Sequence, residues 1–175
     1  RSCGCGEVKD NDSGKVLTLA GWVQRRRDHG GLIFIDLRDR TGLVQLVFSP
    51  QYGEEAFHKA EDVRNEYVVA VVGKVRERSE ETINPHMKTG RLEVVVSEMR
   101  VLNKAKTPPF YIEDGVDVDE NVRLRYRYLD LRRPEMQRNL IMRHKITHEM
   151  REFLDERIPG NRNPDADKEH TGRRP

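Results

Sequence analysis

The chain has only two cysteines and no long hydrophobic run. Cys3 and Cys5 are separated by one residue, without a second cysteine pair or a histidine at metal-ligand spacing. This pattern predicts neither a disulfide framework nor a zinc site, and it is typical of a reducing compartment. Because no segment resembles a signal peptide or is long enough to cross a bilayer, we expect a cytoplasmic protein without a membrane partner.

The chain also lacks a large excess of either charge, since 32 lysines and arginines stand against 30 aspartates and glutamates, a net charge of +2. That balance does not indicate nucleic-acid binding by itself. The two signs are nevertheless segregated, because acidic residues gather between residues 113 and 120 and basic residues in the first half. The basic set is Arg25, Arg26, Arg27, Arg38, Arg40, Lys74, Arg76 and Arg78.

The most informative segment runs from Gly21 to Phe48, GWVQRRRDHGGLIFIDLRDRTGLVQLVF. Three arginines end an alternating strand, a Gly-Gly turn follows, and two more strands carry Phe34 and Gln45. Arginines at the edge of a sheet with an aromatic on its face are typical of a surface on which single-stranded bases stack. Phe34 fits this platform and the core equally well. Core positions are predicted for Leu32, Ile33, Ile35, Leu43, Val44 and Val47.

The order of predicted elements indicates a mainly β fold. Three strands, a short amphipathic helix over 54–64 and two further strands form the order of the five-stranded OB barrel, which binds oligonucleotides. We expect this domain over residues 1–106. The strands are predicted over 16–27, 32–37, 43–48, 67–75 and 92–101.

A second unit is expected to follow the barrel. Thr107-Pro108-Pro109 begins a predicted linker over 107–121, and the unit over 122–157 contains a long helix that starts at Pro134. We expect the apolar stripe of this helix to be buried, with an interface to a partner helix as the alternative. The stripe consists of Met136, Leu140, Ile146, Met150, Phe153 and Leu154.

Six segments together resemble bacterial-type aspartyl-tRNA synthetases, which are class II enzymes of subclass b. They are GWVQRRRDHGGLIFIDLRDR, TGLVQLVF, VVGKVRER, INPHMKTG, LEVVV and LRYRYLDLRRPEM, between about Cys5 and Arg157. Lysine and asparagine enzymes share the barrel but not RRRDHGG with RYRYLDLRRPEM. The resemblance implies an anticodon-binding OB domain, a hinge and the start of a catalytic domain whose long helix lies at a dimer interface. Intact members are homodimers that attach aspartate to tRNA with ATP and Mg²⁺.

The resemblance also assigns roles to residues of the barrel. Phe34 would stack on the middle anticodon base, Gln45 would hydrogen-bond the edge of that base, and Glu93 would face the first base. Arg25 and Arg27 would meet the third base and the backbone. The segment that closes over the loop contains Arg76, Arg78 and Asn84. A solvated strand residue is the alternative for Glu93, and Arg26 is expected to be a solvated arginine.

His29 follows the RRRD motif. In the family, leucine at this position accompanies enzymes that charge only the aspartate tRNA, and histidine accompanies relaxed enzymes that also charge the asparagine tRNA. We therefore expect His29 to take part in tRNA discrimination, with an ordinary exposed histidine as the alternative. No residue is predicted to be catalytic or to bind metal, so we expect this segment to hold no cofactor and to be inactive alone.

The resemblance ends after Arg157. Residues 158–175, IPGNRNPDADKEHTGRRP, have the composition of a disordered segment. A permissible choice of codons for them, read in another frame, encodes GFLEIETPMLTKSTPEGA, which resembles the family at this point and includes the proline of its first class II motif. We therefore expect a frameshift just after Glu156, in the gene or in its sequencing, and an out-of-frame tail.

Two other functions fit parts of the sequence. A free-standing OB module would bind single-stranded nucleic acid without sequence specificity, with a salt dependence set by phosphate contacts alone. An interaction protein would instead dock the helix from Pro134 onto an intact synthetase. Similar affinity for any anticodon loop would favour the first of these, and co-elution with an intact homologue would favour the second.

Overall fold

The computed structural model describes residues 1–157 and divides into two compact units, of which the second begins at Pro109. The predicted tail, 158–175, lies outside the described residues. The first unit contains β1 (Val16–Asp28), β2 (Ile33–Arg38), β3 (Leu43–Phe48), α1 (Glu54–Glu61), β4 (Val68–Glu77) and β5 (Leu92–Asn103). The second contains α2 (Glu120–Arg125), α3 (Arg127–Asp130) and α4 (Pro134–Arg157).

The five strands form a closed barrel in the order β1-β2-β3-β5-β4. Neighbouring strands pair antiparallel, except that β3 and β5 pair in parallel. The helix α1 lies between β3 and β4 in the chain, so the predicted OB architecture is confirmed. Closure leaves no sheet edge exposed for pairing with another chain.

The barrel core follows the two-residue period of its strands, because successive side chains of a strand point to opposite faces. On β2, for example, Ile33, Ile35 and Leu37 are fully buried. The predicted core position of Leu32 is wrong, since this residue is 39% exposed and precedes β2 with the opposite parity. Its carbonyl instead accepts a hydrogen bond from the His29 amide at 2.9 Å, which closes the β1–β2 hairpin.

Asp39 fixes the N-terminal segment to the connection between β2 and β3. Its carboxylate accepts hydrogen bonds from the Cys5 amide at 2.9 Å and from the Thr41 amide at 2.7 Å. Thr41 in turn accepts from the Gly6 amide at 2.9 Å. Burial, reinforced by the Asp39 charge, raises the pKa of the Cys5 thiol to about 12, so this cysteine is a packing residue.

In the second unit, α4 begins at Pro134 as predicted, because proline needs no amide partner in the first helical turn. The Asp114 carboxylate accepts the Glu135 amide at 2.9 Å and lies 3.4 Å from the Arg138 guanidinium. The predicted burial of the α4 stripe is wrong, because no residue of α4 is buried. Its large apolar side chains from Leu140 to Leu154 are 45–60% exposed.

Candidate nucleic-acid interface

Two rows of side chains cross the outer face of the barrel, each with one residue from every strand. Their partners on adjacent strands are in direct register, and along β2, β3, β4 and β5 they alternate with side chains of the hydrophobic core. The four row residues on β3 and β5 are themselves buried, whereas those on β1, β2 and β4 are half-buried or exposed. The first row is Arg25, Asp36, Gln45, Glu93 and Arg76. The second row is Arg27, Phe34, Val47, Val95 and Lys74.

A β-bulge places the β1 arginines in these rows. Val23 is buried opposite Leu37, whereas the next paired position joins Arg25 to Asp36, so Gln24 is an extra residue. Without the bulge, Arg25 and Arg27 would share the parity of Val23 and face the core. The bulge therefore turns two guanidinium groups toward the outer face.

The centre of this face contains a groove of about 250 Å³. Six of the nine residues that the sequence predicts for the site line it, which are Arg27, His29, Phe34, Gln45, Arg78 and Asn84. Arg25, Glu93 and Arg76 do not line the groove but stand beside it in the first row. The groove combines guanidinium, amide and aromatic groups, which are the groups that bind single-stranded bases and phosphates.

Phe34 lies on the outer face, half-buried and outside the hydrophobic core. The ring of His29 contacts it edge-on, with centroids 5.6 Å apart and planes at 79°. Gly30 and Gly31 adopt φ values of 60° and 97° in the hairpin turn that brings these rings together. Such values are unfavourable for residues with a side chain, so the two glycines are what allow the tight turn.

Glu93 is the electrostatic centre of the first row. Its side chain is only 9% exposed, and its carboxylate oxygens lie 2.7 Å from Arg76 and 3.6 Å from Arg78. Burial lowers the pKa of the Arg78 guanidinium, and the charges of Glu93 and Asp36 partly oppose this effect. Burial also acts to lower the pKa of Arg76, but the hydrogen bond and charge of Glu93, together with the contact to Tyr52, outweigh it and the pKa is raised.

The Gln45 amide is held from both sides. Its Nε2 donates to Glu93 at 3.4 Å, and its Oε1 accepts from Arg27 at 3.3 Å. Arg27 also donates to Asp36 at 2.7 Å, and burial raises the pKa of that carboxyl despite the nearby arginines. These contacts fix the orientation of the amide, so one arrangement of donor and acceptor is presented at the groove.

The connection between β4 and β5 forms one wall of the groove through Arg78, Thr82 and Asn84. Arg78 has a side chain that is 4% exposed, and it donates to the carbonyls of Thr82 at 3.0 Å and Gly90 at 3.3 Å. The backbone amide of Asn84 donates to the Gly90 carbonyl at 3.1 Å. Arg78 therefore holds this wall in place in addition to lining the groove.

Comparison with known proteins follows the same division of the chain. Residues 17–102 match a family described as an OB-fold nucleic acid binding domain, and residues 119–158 match class II tRNA synthetases of the D, K and N type. An aspartate–tRNA(Asp/Asn) ligase from Heliobacterium modesticaldum is 68% identical over 150 residues, 86% of this chain and 25% of the relative. Its counterpart from Moorella thermoacetica is 68% identical over 157 residues, 90% of this chain and 26% of the relative.

The chain belongs to the aspartyl-tRNA synthetase family. It spans about a quarter of the length of these curated relatives. The asparaginyl-tRNA synthetase of Pyrococcus horikoshii, solved with asparaginyl-adenylate, has a TM-score of 0.74 at 29% identity over 89% of this chain and 34% of that one. The aspartyl-tRNA synthetase of Entamoeba histolytica shares the fold, with a TM-score of 0.79 at 20% identity over 90% of this chain and 38% of that one.

Within this family the barrel is the OB-fold anticodon-binding domain, and the helices after it begin the class II domain. Class II synthetases use ATP and Mg²⁺ in general. Between residues 1 and 157, no group of three or more histidine, cysteine, aspartate or glutamate side chains is placed to hold a metal ion. Over the same range no helix has the length and hydrophobicity needed to span a bilayer.

Three details of the interface differ from the sequence-based expectations. Glu93 is buried in ion pairs, so the alternative of a solvated strand residue is wrong. Arg26 is half-buried rather than solvated, because its Nε donates to the Ala60 carbonyl at 2.9 Å, near the end of α1. The sequence analysis did not identify Asp36 and Thr82 as residues of the interface. Asp36 could have been identified, because it lies two residues after Phe34 on β2 and therefore on the same face of the sheet.

Proposed function

We propose that this chain binds the anticodon stem-loop of tRNA across the central groove, as the recognition part of an enzyme that joins aspartate to tRNA with ATP. The observation that supports this proposal is the convergence of six predicted tRNA-contacting side chains on one groove. The relatives named aspartate–tRNA(Asp/Asn) ligase support the choice of tRNA as the partner. Their enzymatic activity would require the parts of the relatives that this chain does not span.

Each anticodon base has a proposed place along the rows. Phe34 would stack on the middle base, and Gln45 would hydrogen-bond the edge of that base. Glu93 would face the first base from β5, and Arg25 and Arg27 would meet the third base and the backbone from β1. The rigid contacts of Gln45 favour base-specific binding, because an amide held from both sides discriminates donors from acceptors.

We also propose that the enzyme is the relaxed type that accepts both aspartate and asparagine tRNAs. His29 contacts the edge of the Phe34 ring and lines the groove near Arg27, where the third anticodon base is placed. The names of the relatives agree with this specificity. The cytoplasm is the compartment that we propose, and the homodimer of the family is the proposed assembly.

The test compares two variants on two RNAs, an aspartate anticodon stem-loop and a loop of scrambled sequence. Gln45→Ala should lower affinity for the aspartate loop by about 1 kcal/mol and leave the scrambled loop unchanged, because it removes a base contact. Arg25→Ala should weaken both loops alike and flatten the salt dependence. Equal losses on both loops for both variants would favour the non-specific OB module.

A further inference from the structure

The outer face of the barrel continues past Glu93 into a second depression of about 380 Å³. Lys74 and Val95, which are opposite each other in the second row, form part of its lining, and so does Arg76 of the first row. Its remaining lining residues are Val16, Tyr52 and Ser97. The depression is therefore the β4 end of the same two rows that carry the central groove.

The chemistry of this depression suits a nucleotide. Tyr52, in the turn after β3, is 48% exposed and lines the depression, where its side chain contacts Arg76. Lys74 and Arg76 are both exposed and supply two positive charges beside the ring. An aromatic ring next to cations is the combination with which proteins hold single-stranded nucleotides, since the base stacks on the ring while the phosphate meets the cations.

This inference rests on the proposed anticodon binding, because the places of the three bases determine which nucleotide would reach the depression. The third base is placed on β1, the middle base on β2 and β3, and the first base on β5. Because the barrel order is β1-β2-β3-β5-β4, the RNA runs from its 3′ side at β1 toward its 5′ side at β4. Adjacent strands are about 4.8 Å apart, so the step from β5 to β4 is within reach of one further nucleotide.

We propose that Tyr52, Lys74 and Arg76 form a fourth nucleotide subsite, which binds the nucleotide immediately 5′ of the anticodon. The base of this nucleotide stacks on the Tyr52 ring, and its phosphate lies against Lys74 and Arg76. Arg76 connects the two subsites, because the same guanidinium is bonded to Glu93 at 2.7 Å. The subsite extends the contact beyond the three bases that specify the amino acid.

The first arm of the test uses the full chain and an aspartate anticodon stem-loop. Tyr52→Ala should weaken binding about 5- to 150-fold, the range of one lost base–aromatic stack. Tyr52→Phe keeps the ring and should stay within about 2-fold of the wild type. Tyr111→Ala, at an exposed tyrosine of the second unit, is the matched control and should leave affinity unchanged. An equal loss in Tyr52→Phe and Tyr52→Ala would overturn the stacking role.

The second arm changes the RNA and leaves the protein intact. An abasic nucleotide immediately 5′ of the anticodon should weaken binding to the wild type and have no further effect on Tyr52→Ala, because both changes remove the same contact. Additive losses would overturn the subsite. Lys74→Ala should reduce the salt dependence by about one phosphate contact, a slope of about 0.7 for single strands.

Phe34→Ala separates failure of this inference from failure of the proposed function. If Phe34→Ala weakens binding while Tyr52→Ala and the abasic RNA do not, anticodon binding stands and the fourth subsite is wrong. If none of the three changes weakens binding, the groove itself does not hold the RNA and both proposals are wrong.

Discussion

At the scale of single residues, the RNA-binding proposal depends most on Phe34. Its ring lies outside the core, whereas the neighbouring residues Ile33 and Ile35 are fully buried. Phe34→Ala should weaken binding of an anticodon stem-loop by about 1–3 kcal/mol, the value of one lost stack. The barrel should stay folded, since the strand partners and the core side chains of β2 are unchanged. Fluorescence anisotropy measures the first effect and circular dichroism the second; loss of the strand signal would show that Phe34 supports the core.

At the same scale, the carboxyl group of Asp39 should make the free energy of unfolding depend on pH. Burial by itself raises the pKa of this carboxyl, but hydrogen bonds from Thr41 and the Cys5 amide outweigh it and lower the pKa. A lowered folded pKa stabilises the protein above the unfolded value of about 3.9, and this contribution is lost as the pH falls through the folded pKa.

Asp39→Asn should therefore unfold more easily than the wild type at pH 7 and differ less from it below about pH 4. Urea titrations across this pH range measure the free energies of unfolding. A constant difference between the two proteins at every pH would mean that ionisation of Asp39 does not contribute.

At the scale of elements, the wall of the groove depends on the backbone turn between Asn84 and Gly90. A Cβ added at Gly90 would lie 1.8 Å from the Asn84 carbonyl oxygen, which no side chain tolerates without displacement of the backbone. Gly90→Ala should shift Asn84 and weaken RNA binding, while the melting temperature of the barrel changes little because the turn lies outside the core.

Gly115→Ala is the control for this prediction, since Gly115 has a positive φ but belongs to the second unit. It introduces backbone strain without moving the groove, so RNA affinity should be unchanged. Wild-type affinity in Gly90→Ala would show that the wall does not contribute to binding.

β1 could be predicted from the alternation of its apolar and polar residues, and the other strands from short apolar runs bounded by turn residues. The barrel follows from the order of the strands with one intervening helix. The bulge at Gln24 could not, since an extra residue is recognised only when the partner strand is known. Likewise, Glu93 is an ordinary charged residue within a strand until β4 supplies Arg76 and the connection after β4 supplies Arg78. Both features depend on contacts between segments that are distant in the chain, and such contacts could not be predicted from the sequence.

At the scale of the whole molecule, the α4 helix was predicted correctly, but the burial of its apolar side chains was not. Leu140, Ile146, Met150, Phe153 and Leu154 are each 45–60% exposed. Large exposed apolar surfaces are typical of interaction sites in soluble domains. In the homodimer that we propose, the α4 helix of a second copy would cover these side chains.

We therefore expect the chain to dimerise through α4 in a concentration-dependent manner. Replacing both Ile146 and Met150 with glutamate should shift it to the monomer, because charges buried in an apolar interface are strongly unfavourable. Lys145→Glu changes an exposed charge next to the stripe and should leave the dimer intact. Sedimentation velocity at several protein concentrations measures the association. A wild-type chain that stays monomeric throughout, or a double variant that still dimerises, would show that α4 is not the interface.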